Sequence, residues 1–200
     1  MTLAALGFRA HTGWAAMVAL AGEVANPNVI DRRRVELVSA QQGAAVYHAA
    51  RERDLATARE MVAHAIGEAH SRTRSEIAAV VDDLAARGSR VLAVGVIAGN
   101  APLPTQLERI LGSHALVHAA EGQLFRDALV AGGRACGLFV TTVPPNHLYD
   151  ELAAALDVDD REVARRLAVF GKAAGRPWAQ DQKEAALAAW MALVRRAPLP

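Results

Sequence analysis

Cysteine is almost absent from this chain. Cys136 stands alone among 200 residues, which excludes an intrachain disulfide framework and any zinc site built from several cysteines. Long apolar runs are absent as well. The longest, such as Val91–Ala98, reach about eight residues, whereas a membrane-spanning helix needs about 20. Net charge is close to nil: 22 Lys+Arg against 21 Asp+Glu give +1 with histidine neutral. That balance excludes a polybasic nucleic-acid coat and an acidic tail, but leaves room for a local patch. Arg9 and His11 interrupt the N-terminal apolar stretch, so the basic-then-apolar layout of a signal peptide is missing. A cytoplasmic protein with no membrane partner is the expectation. No Gly-x-Ser-x-Gly, P-loop or dinucleotide fingerprint occurs, and Gly95 and Gly99 form no such pattern.

What remains is a globular composition, 52% hydrophobic and 22% charged, with 45 alanines. One domain spanning residues 1–200 can bury about 70% of its unfolded surface. Three β-like runs come first: Thr2–Phe8, Gly13–Ala21 and Asn28–Val38, separated by polar turns. The third alternates imperfectly and is rich in charge, as an edge strand is. Its Arg32-Arg33-Arg34 is not one patch, because Arg33 must point away from its neighbours on a strand. Apolar residues at three- and four-residue intervals predict one long helix from Ala45 to Arg87, with Tyr47-His48 at its start and near the cleft. Arg90–Ala98 reads as a buried strand, Leu103–Leu111 as a short helix with Pro104 in its first turn, and Ala115–Cys136 as a longer helix. Leu138–Val143 reads as a fifth strand, and Tyr149–Arg196 as helix broken at Gly175-Arg176-Pro177. The order β-β-β-α-β-α-β-α predicts an α/β fold: a five-stranded mixed sheet with helices on both faces.

Two stretches carry a resemblance. Leu3–Ala16 contains Thr12-Gly13-Trp14, which opens the second strand. The second stretch runs from the helix ending at Gly137 through Leu138-Phe139-Val140, a Val-Pro turn and two helical segments to Asp181–Ala189. With the element order, these resemble the RuvC-like resolvase branch of the ribonuclease H-like superfamily. The resemblance implies two-metal phosphodiester hydrolysis, with Mg²⁺ or Mn²⁺ held by acids on strand one, near the end of strand four and on the last helix. Asp181 and Glu184 have the spacing of the last-helix pair. The other acids are missing: residues 2–14 contain neither Asp nor Glu, and strand four ends Ile97-Ala98-Gly99-Asn100. The resemblance therefore implies the scaffold with a degenerate catalytic site, in which Asn100 offers a carbonyl oxygen but no charge.

Asp181 and Glu184 also fit a capping box at the start of the final helix, and the two readings can coexist. His114, His118 and Glu121 share one helix face with Phe125. Two imidazoles and a carboxylate at this spacing suit a first-row metal; they also suit a polar wall in which Glu121 pairs with His118 or Arg126. Glu121 is the natural replacement for a missing catalytic carboxylate. Arg9, His11, Thr12 and Trp14 rim the cleft, where the cations suit phosphate or carboxylate. Three functions follow. The first is a non-catalytic or atypical member binding nucleic acid or a small anionic ligand. The second is a metal-dependent phosphohydrolase with a rearranged site of Glu121, Asp181, Glu184 and His118, with Mg²⁺ or Mn²⁺ as cofactor. The third is an interaction module that forms a homodimer through its alanine-rich helices.

Overall fold

The computed structural model describes residues 1–39, 43–99 and 102–196. Strands β1 (Thr2–His11) and β2 (Trp14–Ala21) form a tight hairpin in which His11 faces Trp14. Gly13 turns the chain at φ 83°, a conformation costly for any residue with a Cβ. Strand β3 (Asn28–Glu36) pairs antiparallel with β2, whereas β4 (Ser89–Ile97) and β5 (Phe139–Val143) run parallel to β1. The sheet order is β3-β2-β1-β4-β5, with β1 at the centre and β3 on an edge.

That edge is guarded by charge as its sequence predicts. Arg33 turns to Asp31 and Asp83 on one side of the sheet. Arg32 donates on the other side to the carbonyls of Gly175, Arg176 and Pro177.

The two faces of the sheet carry separate cores. Ala4, Leu6, Phe8, Met17, Val94 and Val96 pack against helices α1 (Val46–Ala50), α2 (Leu55–Ala86), α3 (Leu107–Leu111) and α4 (His114–Ala135). Ala5, Val18, Leu20, Ala93 and Ile97 pack against α5 (Leu148–Leu156), α6 (Asp160–Ala174) and α7 (Gln180–Arg196). The period of two along each strand sorts these residues to opposite sides. Helix α7 lies directly on the sheet: a Cβ at Gly7 would overlap the carbonyl of Ala185, and one at Gly95 that of Ala188.

Three expectations are corrected. The single helix from Ala45 to Arg87 is two helices, because Asp54 caps a new one by accepting from Ala56 N (3.1 Å) and Thr57 N (3.0 Å). The short helix begins at Leu107, after Pro104, with Gln106 as its cap residue. The C-terminal helical region has a further break at Asp157, which adopts φ 54° and ends α5. On α7, Ala185, Ala186, Ala188, Ala189 and Ala192 are buried within the chain. Among the described residues, no helix is long and apolar enough to cross a membrane.

Candidate functional site

Strand alternation decides which helix meets the polar end of β1. Gly7, Arg9 and His11 share the face that carries α7, and they pass Ala185, Glu184 and Asp181 in turn. Arg9 Nε lies 2.8 Å from Glu184 Oε2, and His11 Nε2 lies 3.0 Å from Asp181 Oδ1. These are contacts of proximity: Arg9 Nε, His11 Nε2 and Glu184 Oε2 are buried and lack directed hydrogen-bond geometry. The His11 contact is ionic only when the imidazole is protonated.

The predicted capping box at Asp181 and Glu184 is corrected. The carbonyl of Ala179 accepts from Lys183 N at 3.1 Å, so Ala179 is the cap residue. Its own N–H donates to Gln182 Oε1 at 2.9 Å. Gln182 therefore closes the helix start, because the helix begins one residue before Asp181. Both acids are left to face β1.

Trp14 extends this wall. Its ring stacks on His11 at 4.2 Å and 9°, and the Arg34 guanidinium lies 4.0 Å above it. Thr12 is exposed in the hairpin turn, and Asn100 lies outside the described residues.

The opposite wall comes from α4, whose start is capped by Ser113. His114 and His118, one turn apart, bring their Nε2 atoms to 3.0 Å. His48 of α1 joins them, with ring centroids 5.6 Å from His114 and 4.6 Å from His118. One ring nitrogen from each of the three lies within 4.8 Å of those of the others.

Glu121 sits behind the histidines, only 2% exposed. Its Oε1 accepts from Tyr47 N (2.7 Å) and His48 N (3.1 Å), and meets His48 Nδ1 at 3.3 Å. The cause is local. Helix α1 is preceded by the cap residue Ala45, which has no side-chain acceptor, so a carboxylate from α4 supplies one. Glu121 thus pairs with neither His118 nor Arg126, as its helix face suggested, and it makes no ion pair with Arg9 or His11. Its second oxygen, Oε2, has no hydrogen-bond partner. Burial, and then the charge of Glu121, raise the Tyr47 phenol above its ordinary range.

Between the walls lies a cavity of ≈ 400 Å³, lined by Arg9, Gly99, His118, Gly122, Arg126 and Asn146 among others. Arg126 donates to Gln123 Oε1 at 3.1 Å, and among the described residues it has no carboxylate within ion-pair distance. Burial, and then the neighbouring charge of Arg9, lower its guanidinium from the ordinary value. The structure therefore gathers Arg9, His11, Trp14, Asp181 and Glu184 on one side, and His114, His118 and Glu121 on the other. The sequence reading missed Arg126 as a cleft cation and left His48 without chemistry.

Sheet order and element order are those of a ribonuclease H-like fold. Among solved structures, the chain is similar to Thermus thermophilus RuvC in complex with a Holliday junction substrate. The TM-score is 0.53 at 16% identity, covering 94% of this chain and 90% of that one. A second Thermus thermophilus RuvC structure aligns at TM-score 0.52 and 15% identity, covering 94% and 91%. No family model matches the chain, and no curated protein sequence matches it.

Proposed function

We propose that this chain is a non-catalytic ribonuclease H-like protein that binds the phosphate backbone of nucleic acid in its cleft. The carrying observation is the pair of arginines on the cavity. Arg9 and Arg126 line one space, the charge of Arg9 disfavours that of Arg126, and among the described residues no carboxylate lies within ion-pair distance of Arg126. A phosphate between them removes that repulsion and gains charge-assisted hydrogen bonds. The solved RuvC structure, whose substrate is a Holliday junction, supports nucleic acid as the ligand class.

The residues present do not fit a pair of Mg²⁺ or Mn²⁺ ions. Such ions need several carboxylate oxygens. Here Glu184 and Asp181 face Arg9 and His11, and Glu121 holds the start of α1 instead of joining them. A rearranged hydrolase built on Glu121, Asp181 and Glu184 is therefore not proposed.

Fluorescence anisotropy with labelled four-way junction, duplex and single-stranded DNA, read across a salt series, tests the reading. Affinity should fall steeply with salt, and Arg126→Ala should weaken binding and flatten the slope by about one. Binding that is absent at low salt, or indifferent to both Arg126→Ala and Arg9→Ala, would sink the cleft assignment. Mg²⁺-dependent cleavage abolished by Asp181→Asn would sink the non-catalytic part.

A further inference from the structure

Two histidines one helical turn apart are common and explain little. The third ring and the carboxylate behind it are a different matter. His48 belongs to another helix, 66 positions before His114 by their numbers in the chain, yet its ring packs on both His114 and His118. All three rings offer a nitrogen within a 4.8 Å set. Behind them Glu121, almost fully buried, meets His48 Nδ1.

We propose that His48, His114 and His118 form a site for one divalent first-row metal ion, zinc above all, with Glu121 as the outer carboxylate. The chemistry is that of the imidazole. A ligating histidine commonly donates its other ring N–H to a carboxylate, which fixes tautomer and ring orientation. Glu121 stands in that place: His48 Nδ1–H donates to it and leaves Nε2 as the ligand atom.

Distances agree. Two nitrogens bound to a tetrahedral zinc at about 2.0–2.1 Å are about 3.3–3.4 Å apart. The Nε2 atoms of His114 and His118 are at 3.0 Å, so a slight opening admits the ion. A shared proton would account for that one contact. It would not account for a third ring converging from α1, nor for a buried carboxylate behind that ring.

Three neutral nitrogens select zinc, cobalt, nickel or copper over Mg²⁺, which prefers oxygen. The site is therefore distinct in donor set from the acid-held metal pair implied by the fold resemblance, and it stands whether or not the cleft binds nucleic acid. Its position is still informative. His118 lines the same cavity as Arg9 and Arg126, so a fourth donor would come from the cleft side.

The test uses the full chain, stripped with a chelator and titrated with Zn²⁺ by calorimetry. Co²⁺ serves as a spectroscopic probe, because a tetrahedral nitrogen site gives it strong visible absorption. One equivalent of Zn²⁺ should bind, and Mg²⁺ should not compete. His114→Gln and His118→Gln, both at exposed positions that leave the core intact, should abolish stoichiometric binding. His48→Gln is the decisive variant: loss of binding supports three ligands, whereas unchanged affinity would reduce the site to a simple helix pair and overturn the proposal. Glu121→Gln should lower zinc affinity about 10–100-fold while keeping one-to-one stoichiometry. Zn²⁺ should also raise the melting temperature of the parent chain and not that of His48→Gln. Absence of one-to-one Zn²⁺ binding by the parent chain would equally overturn the site.

Discussion

The two walls of the cleft are built from helices that begin at the same end of the sheet, and both carry acids. On α7 those acids meet basic side chains: Glu184 faces Arg9, and Asp181 faces His11. On α4 the acid meets backbone: Glu121 takes the free N–H groups of α1. The contrast teaches that a carboxylate's role is settled by what reaches it first. One wall is neutralised by a strand whose residues happen to be basic. The other uses its acid to hold a neighbouring helix, which brings a third histidine to two others.

Position is enforced differently as well. Helix α7 is seated by backbone contact on Gly7 and Gly95, so adding a side chain there forces helix and sheet apart. Gly95→Ala should therefore produce the largest loss, at least about 3 kcal/mol in chemical denaturation. A shift below about 1 kcal/mol would show that the α7 wall is free to adjust. Next comes Leu187→Ala, which empties a side chain 1% exposed between α7 and the sheet; about 2–5 kcal/mol should be lost. An effect under about 1 kcal/mol would place that stripe toward solvent.

The acids themselves should separate the walls. Glu121→Leu leaves the amides of Tyr47 and His48 without their acceptor and should cost about 1–3 kcal/mol. Amide exchange should quicken at residues 46–50, with α2 unaffected. Glu184→Gln should cost less, within about 1 kcal/mol, because its contact with Arg9 lacks directed hydrogen-bond geometry and 31% of the Arg9 side chain is already in solvent. If the order of these two reverses, the α7 pair is the more tightly built of the walls and the comparison fails.

The sheet was legible because its strands have unmistakable edges. Asn26-Pro27-Asn28 announces β3, Gly88 precedes β4, and Pro144-Pro145 follows β5. The break between α1 and α2 was harder to see, since the charged run Arg51-Glu52-Arg53-Asp54 that separates Ala50 from Leu55 also suits an exposed stretch of one long helix. Its signal was Asp54 followed by Ala56 and Thr57, a cap in the middle of an alanine-rich run. On α4, three-and-four spacing aligned His114, His118 and Glu121 correctly, but spacing within one helix says nothing about what packs against it. His48 and Arg126 join the cleft through tertiary packing, and a single sequence carries no pattern for that. A trace existed in Ala45, a poor cap residue that obliges some other element to provide an acceptor. On α7 the capping box was a reasonable inference from Asp-x-x-Glu, and it failed by two residues of register: Ala179 and Gln182 take the places expected of Asp181 and Glu184.

The seating of α7 has a consequence for the order in which the chain is made. Strand β1 leaves the ribosome before the other described elements, and the helix that covers its glycine-bearing face is the last of them to follow. Until α7 emerges, the centre of the sheet presents a bare backbone groove, with Arg9 and His11 facing no acid from that helix. Contacts this distant along the chain form late and slow folding. A nascent chain halted before α7 should therefore dwell in a half-covered state, open to chaperones, and close as a unit once the final helix arrives.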